Sequence, residues 1–141
     1  EVAGCAIFIA AAAVADWRVA HASAQKIKKD GSGQMPQLAF TENPDILATV
    51  AASAAAQNGQ LYCVGFAAES ENLEAHAKAK RERKGVPLLV GNIGPDTFGQ
   101  DDNALLLVDA HGSRAIPRAS KRVLAQQLVA EIAQRIQAAQ D

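Results

Sequence analysis

The chain's 141 residues are enough for one domain with a hydrophobic core, and alanine supplies much of the apolar content because aromatic residues make up only 4%. The formal net charge of −1 excludes a global field that attracts nucleic acid, so an anion site has to be built locally. The longest apolar run, residues 6–15, is too short to span a bilayer, and no basic signal-peptide segment precedes it. We therefore expect a cytoplasmic protein without nucleic-acid or membrane partners.

The first expected elements are a strand and a helix. Residues 5–9 are β-branched and aromatic enough to predict a buried strand. Asn43 is the expected N-cap of a helix, Pro44 its first residue and Asp45 the acid of its first turn. This helix is expected to continue to Gln57 and to stop near the Asn-Gly pair that follows.

Strands and helices continue to alternate in the second half. The expected elements are a buried strand at 61–66, a helix at 71–84 capped by Ser70 and ended by Gly85, strands at 86–90 and 104–108, a turn into a strand at 113–116, and a last helix capped by Ser120. Apolar residues recur at helical spacing in that last helix. The alternation predicts a Rossmann-like α/β domain of three layers, with a mainly parallel sheet and an antiparallel edge hairpin.

The cysteines and histidines give no metal-ligand spacing. Cys5 and Cys63 each lie in an apolar run, which predicts two buried, reduced thiols. We expect His21, His76 and His111 at surface or loop positions.

Charged residues lie at the expected carboxyl ends of the strands, where ligands of such sheets bind. Asp16 ends the first apolar run and is either a turn residue or a carboxylate that holds Mg²⁺ or a ligand hydroxyl. Lys26, Lys28 and Lys29 precede a glycine-rich stretch. They predict either a solvated loop or a cationic flap that closes over a polyphosphate.

One face of the helix at 71–84 carries Leu73, Ala77, Lys80 and Lys84. If this face turns towards the strand ends, its two lysines meet the phosphates of a ligand; otherwise they complement the helix dipole. The remaining cations of this helix, Lys78, Arg81 and Arg83, are expected in solvent.

Two further features permit a phosphate-bearing ligand with a flat base. The backbone amides of residues 45–47 are expected at a helix start, which attracts anions. Phe66 is either a core residue or an aromatic wall for a flat base.

Six motifs stand in one order along nearly the whole chain. They are AAVADWR at 12–18, KIKK at 26–29, NPDIL at 43–47, VGFAAE at 64–69, the pair Lys80 and Lys84, and FGQDDN at 98–103. Together they resemble the bacterial, CTP-dependent phosphopantothenate–cysteine ligase. This family is the synthetase half of a bifunctional protein that also carries a phosphopantothenoylcysteine decarboxylase.

The resemblance implies that residues 1–141 are the C-terminal part of a single ligase domain. In this family, 4'-phosphopantothenate and CTP give an acyl-cytidylate and pyrophosphate with the support of Mg²⁺. Cysteine then displaces CMP, which is a step of coenzyme A biosynthesis. A cytoplasmic homodimer is implied, and FMN only if a decarboxylase domain lies upstream.

The resemblance also implies a set of nucleotide-binding residues. They are Ala10, Ala11, Ala12, Asp16, Lys26, Pro44, Asp45, Ile46, Leu47, Phe66, Lys80 and Lys84. Lys26 is the implied catalytic residue, which neutralises charge on the path to the acyl-cytidylate, and Asp16 is the implied Mg²⁺ ligand. Trp17 stands where the family commonly has tyrosine.

The family's glycine-rich turn and its Ser-Ser-Gly-Lys-type loop, which handle the acyl intermediate, do not occur in this sequence. We therefore expect that this chain alone does not complete the ligation. Two alternatives stay open at this point. One is a regulatory module that binds a nucleotide without complete catalysis, and the other is a relative that prefers ATP.

Overall fold

The structure, a computed structural model, describes residues 2–28, 31, 33–35, 37–93 and 99–139. Lys29 and Phe98, two residues of the quoted motifs, lie outside this part of the chain. The chain divides into two compact units, of which unit 1 comprises residues 1–11 and 46–141 and unit 2 comprises residues 12–45. Among the described residues, none of the helices combines the length and apolar content that crossing a bilayer requires.

The elements follow one another in chain order as strands and helices. The strands are β1 (Ile7–Ala10), β2 (Trp17–Val19), β3 (Phe40–Glu42), β4 (Tyr62–Glu69), β5 (Leu88–Ile93), β6 (Asp102–Val108) and β7 (Ser113–Ser120). The helices are α1 (Ile46–Ala51), α2 (Ala54–Gln57), α3 (Leu73–Lys84) and α4 (Lys121–Ala138).

The sheet of unit 1 has the strand order β1-β4-β5-β6-β7. Strands β1, β4 and β5 pair in parallel, with Ala10 opposite Gly65 and Gly65 opposite Leu89. Strand β6 runs antiparallel to β5, and β7 returns antiparallel to β6. The expected mainly parallel sheet with an antiparallel edge hairpin is therefore confirmed.

Helices cover both faces of this sheet, which confirms the three layers. Leu124, Leu128 and Ile132 of α4 pack on one face, against a cluster that includes Val64 and Val90. The other face holds a second cluster, formed by Ala51, Leu61, Cys63, Ala67, Ala77, Val86, Leu89 and Val108. Because side chains alternate along a strand, β4 and β5 are hydrophobic on both sides.

The predicted helix over residues 43–57 is wrong in its start and its continuity. Helix α1 begins only at Ile46, and the backbone of Ser53 is extended, with φ −65° and ψ 153°. The Ser53 hydroxyl accepts a hydrogen bond from the Ala56 amide at 3.4 Å and so caps a separate helix, α2. The end at Gln57 is as predicted.

The helix caps further along the chain are partly as predicted. Helix α3 starts at Leu73, and its N-cap is Asn72 rather than Ser70. Asn72 has φ +48°, a left-handed conformation that asparagine tolerates better than most residues. Gly85 ends α3 with φ +64°, and the Ser120 hydroxyl caps α4 by accepting from the Val123 amide, as predicted.

The first strand is not buried, contrary to expectation. It lies at an edge of the sheet, with Ile7 42% and Ile9 40% exposed. Cys5 is exposed as well, whereas Cys63 is buried in β4, where burial raises the pKa of its thiol. Both thiols are free.

Unit 2 contains a short antiparallel pair that the sequence pattern did not reveal. Trp17 lies opposite Glu42 and Val19 opposite Phe40. Each strand has three residues, too few for a period-2 pattern to stand out.

Candidate functional site

Asp16 immediately precedes β2 in unit 2, and its side chain is exposed. Its position depends on Asn43, which follows β3. The side-chain Nδ2 of Asn43 donates to the carbonyl oxygen of Ala15 at 2.7 Å. The backbone N–H of Asn43 donates to the carbonyl oxygen of Asp16 at 2.8 Å. The side chain that was expected to cap a helix therefore holds the turn that carries Asp16.

Arg18 fixes the orientation of this amide. Its Nη1 donates to the Asn43 Oδ1 at 3.0 Å and to the Glu42 carbonyl oxygen at 2.8 Å. Both polar atoms of the Asn43 side chain thus have partners. These roles of Arg18 and Asn43 were missed because they depend on the β2–β3 pairing.

Lys26 is exposed in the segment that joins β2 to β3. Upstream, the Ser23 hydroxyl donates to the Gln25 carbonyl at 2.7 Å and accepts from its amide, which closes a local turn. Downstream, Gly31 and Gly33 both have positive φ. The flap role of Lys26 stays a prediction.

The start of α1 differs from the expected anion site. Pro44 and Asp45 precede the helix instead of forming its first turn, and α1 has only six residues. The macrodipole of so short a helix is weak, and the role of residues 44–47 in nucleotide binding stays a prediction. Leu47 is half-buried against the face of the sheet that carries Cys63.

In unit 1, the sheet separates Phe66 from the lysines of α3. Phe66 is half-buried and packs on the cluster beneath α4. Helix α3 lies on the opposite face, where Ala77 is fully buried and Lys80 and Lys84 are half-buried. The predicted helix face of α3 is therefore present, but it does not lie beside Phe66.

The direction of α3 also sets the two ends of this face apart. The helix begins at Leu73, four residues after β4 ends, and finishes at Lys84, four residues before β5 starts at Leu88. Lys84 therefore lies near the amino edge of the parallel strands, away from their carboxyl ends. Ala10, by contrast, is the last residue of β1, and Ala11 and Ala12 follow it as exposed residues.

A polar pair that the sequence did not single out lies where β4 ends. His76 Nδ1 is 3.5 Å from Glu69 Oε2, and the Glu69 side chain is 24% exposed. His76 is exposed on α3, as expected for a surface histidine. The left-handed Asn72 stands between these two residues in the chain.

The amino edge of the sheet carries an open cavity of about 680 Å³. Its lining includes Gln57 of α2, Tyr62 of β4 and Pro87 of the α3–β5 connection. Arg81, expected in solvent, is half-buried here and donates from Nη1 to the Val86 carbonyl at 3.2 Å. The residues predicted to bind the nucleotide are not part of this lining.

Comparison with known proteins places this arrangement in a family. Residues 1–136 match the model of the DNA/pantothenate metabolism flavoprotein C-terminal domain. The chain belongs to this family. The match confirms the resemblance that the six motifs indicate.

Curated relatives of this flavoprotein C-terminal domain include two bacterial proteins named coenzyme A biosynthesis bifunctional protein CoaBC. That of Vibrio vulnificus (strain CMCP6) is 39% identical over 129 residues, which cover 89% of this chain and 31% of the relative. That of Escherichia coli (strain K12) is 41% identical over 133 residues, which cover 92% of this chain and 32% of the relative. The chain thus spans about a third of the length of the curated relatives it matches.

A solved structure shows the same fold. The crystal structure of the C-terminal domain of CoaBC superposes with a TM-score of 0.69 at 22% sequence identity. The superposition covers 94% of this chain and 55% of that one. The α/β fold of the flavoprotein C-terminal domain is therefore present here.

A metal ion at Asp16 would have to bring most of its ligands with it. Within the described residues, no group of three or more His, Cys, Asp and Glu side chains could hold a metal ion. Mg²⁺ commonly binds through one or two carboxylates together with substrate phosphates and water. Asp16 offers one exposed carboxylate for such binding, and its role as a Mg²⁺ ligand stays a prediction.

Proposed function

We propose that residues 1–141 form the C-terminal part of a phosphopantothenate–cysteine ligase domain, which acts in coenzyme A biosynthesis. The observation that carries this proposal is the family match over residues 1–136. The names of the curated relatives support the same pathway. The proposed substrates are 4'-phosphopantothenate, cysteine and CTP.

The proposed reaction has two steps. The carboxylate of 4'-phosphopantothenate attacks the α-phosphate of CTP, which forms an acyl-cytidylate and releases pyrophosphate. The amine of cysteine then attacks the acyl carbon, which forms an amide bond and releases CMP. Neither step requires a protein nucleophile, so the protein contributes positioning and charge stabilisation.

Asp16 and Lys26 are the residues to which we assign the main roles. Asp16 presents an exposed carboxylate on a turn held by Asn43. It binds the nucleotide and, with the phosphates, holds Mg²⁺, which supplies neutralising charge when bound. The ammonium group of Lys26 neutralises charge that develops on the α-phosphate.

The remaining proposed nucleotide-binding residues rest on the family resemblance. They are Ala10, Ala11 and Ala12 through their backbone, Pro44, Asp45, Ile46 and Leu47 also through their backbone, and Phe66, Lys80 and Lys84. Because Phe66 and the two lysines lie on opposite faces of the sheet, these three residues do not form one wall of a pocket in this structure.

The proposal extends to the setting of the enzyme. We assign it to the cytoplasm as a homodimer, with FMN present only where a decarboxylase domain lies upstream. The resemblance of the motifs to the bacterial ligase supports these assignments.

Pyrophosphate release by the full-length protein tests the proposed function. We expect release from CTP to require both 4'-phosphopantothenate and Mg²⁺, and CMP release to require cysteine in addition. Binding of CTP without pyrophosphate release would instead indicate a regulatory module. Faster release from ATP than from CTP would indicate an ATP-preferring ligase.

A further inference from the structure

Two hydrogen bonds from one residue restrain the peptide groups on both sides of Asp16. The Ala15 carbonyl belongs to the peptide that precedes Asp16, and the Asp16 carbonyl to the peptide that follows it. Asn43 bonds the first through Nδ2 at 2.7 Å and the second through its backbone N–H at 2.8 Å. Since peptide groups are planar, holding both of them restrains the two soft torsions of Asp16.

The donor that makes the side-chain bond is itself held. Arg18 Nη1 donates to Asn43 Oδ1 at 3.0 Å and to the Glu42 carbonyl at 2.8 Å. A rotation of the Asn43 amide would exchange its oxygen and nitrogen and break the bonds to both Ala15 and Arg18. The bonds from the guanidinium are charge-assisted, which strengthens this preference.

We propose that Asn43 is a positioning residue, which presents the Asp16 carboxylate to the nucleotide by holding the turn at Ala15 and Asp16, and that Arg18 keeps Asn43 in the required orientation. This inference rests on the proposed function, in which Asp16 binds CTP. A carboxylate held in advance loses less conformational freedom when the ligand binds, so its contribution to affinity is larger.

Trp17 reports on this turn directly. It follows Asp16, it is 57% exposed, and it is the single tryptophan of the 141-residue chain. Asn43→Ala is expected to lower the fluorescence anisotropy of Trp17 and to increase its quenching by acrylamide. Gln57→Ala is the matched control, because Gln57 Nε2 also donates to a backbone carbonyl, that of Ala51, at 2.8 Å.

Calorimetric titration of the full-length protein with CTP and Mg²⁺ tests the effect on binding. We expect Asn43→Ala to raise the Kd for CTP about tenfold, which is about 1.4 kcal/mol. Asn43→Asp should do the same, since the aspartate side chain still accepts from Arg18 but has no N–H to donate to the Ala15 carbonyl. Gln57→Ala should leave the Kd within about twofold of that of the unsubstituted chain.

A double-mutant cycle separates positioning from direct contact. If Asn43 acts through Asp16, then Asn43→Ala changes the Kd less than about twofold in an Asp16→Ala background. If the effects of the two substitutions on the Kd instead multiply, the inference is overturned, because Asn43 would then act on the nucleotide independently of Asp16. An unchanged Kd in the single variant Asn43→Ala would overturn it too.

Two further arms keep the test decisive. Should Asn43→Ala fail to fold, Arg18→Gln removes the support of the Asn43 amide while leaving Asn43 in place. Like Asn43→Ala, it should raise the Kd for CTP and lower the Trp17 anisotropy. If neither quantity changes, the inference is wrong. If the unsubstituted full-length protein binds no CTP, the proposed nucleotide fails, and the Trp17 response alone decides whether Asn43 orders the turn.

Discussion

At the scale of single residues, the side chains assigned to chemistry are separate from those that hold the fold. Asp16 and Lys26 are exposed. The largest fully buried side chains are those of Leu88, Leu89, Leu107, Ile132, Val64, Val86, Val90, Val108 and Cys63. Exposed polar side chains contribute little to stability, so Asp16 and Lys26 can be substituted without unfolding the protein.

Lys26→Gln is the corresponding residue-scale prediction. In the full-length protein it should slow pyrophosphate release from CTP by about 100-fold, because a preorganised charge next to the reacting phosphate is lost. Its free energy of unfolding should change by less than about 0.5 kcal/mol. The measurements are a pyrophosphate assay and urea unfolding followed by circular dichroism.

Lys78→Gln is the matched control for charge removal. Lys78 is exposed and pairs with Glu74 at 2.6 Å on α3. This variant should release pyrophosphate from CTP at the rate of the unsubstituted protein. A Lys26→Gln protein that unfolds while keeping its specific activity would show that Lys26 is structural.

The caps at Gly85 and Ser120 were predictable from the sequence, whereas the role of Asn43 was not. Gly85 and Ser120 act within one turn of their own helices, so their neighbours in the chain suffice to predict them. Asn43 instead bonds Ala15, which lies 28 residues away. A side chain with several possible partners chooses among them only when the fold brings those partners close.

At the scale of elements, glycine lets helix α1 approach the sheet. A Cβ built on Gly65 would lie 2.8 Å from Leu47 Cδ2 of α1 and 2.8 Å from Leu89 Cδ1 of β5. Likewise, a Cβ built on Gly91 would lie 2.8 Å from Leu73 Cδ1 of α3. Small residues at these contacts, with Ala51 and Ala77, allow the close packing that the alanine-rich composition suggests.

Gly65→Ala should lower the free energy of unfolding by about 1–3 kcal/mol, because two leucine side chains must move in a packed interior. Urea unfolding measures this loss. Combining it with Leu47→Ala removes one of the two close contacts, so Gly65→Ala should cost less in that background. Equal costs in both backgrounds would mean that Leu47 does not restrict Gly65.

At the scale of the whole unit, an ion cluster joins the edge hairpin to α4. Arg135 of α4 pairs with Asp109, which follows β6, and with Glu131 at 3.0 Å. Arg114 of β7 also pairs with Glu131. Burial opposes ionisation of Asp109, but hydrogen bonds from Arg135 and the His111 amide outweigh it and lower the pKa of this carboxyl.

This lowered pKa predicts a loss of stability in acid. Because the folded pKa lies below the value of about 3.9 in an unfolded chain, the stabilisation is complete above about pH 4 and disappears as the pH falls through the folded pKa. Asp109→Asn should lower the free energy of unfolding at pH 7 by about 2 kcal/mol and flatten its fall below pH 4. Urea unfolding between pH 2.5 and 7 measures both effects.

Asp102→Asn is the control for this prediction. Asp102 also has a lowered pKa, through a hydrogen bond from Arg118, but about half of each side chain is exposed. Solvent screening makes the contribution of such a pair small. If the two variants reduce the loss of stability below pH 4 equally, the ion cluster around Arg135 does not stabilise the fold more than the exposed Asp102–Arg118 pair does.

The sequence by itself determined the α/β class, the antiparallel edge hairpin, the caps at Gly85 and Ser120 and the family. Each of these depends on local periodicity, on a neighbour within one turn, or on the order of short motifs along the chain. Only the tertiary structure decided that β1 is an exposed edge, that Ser53 divides the first helix and that Phe66 and the lysines of α3 face opposite sides. Periodicity tells which side chains share a face of an element, but the packing of distant segments decides what covers that face. For the same reason, the hydrogen bonds from Asn43 to the Asp16 turn depend on the pairing of β2 with β3, which the sequence pattern did not reveal.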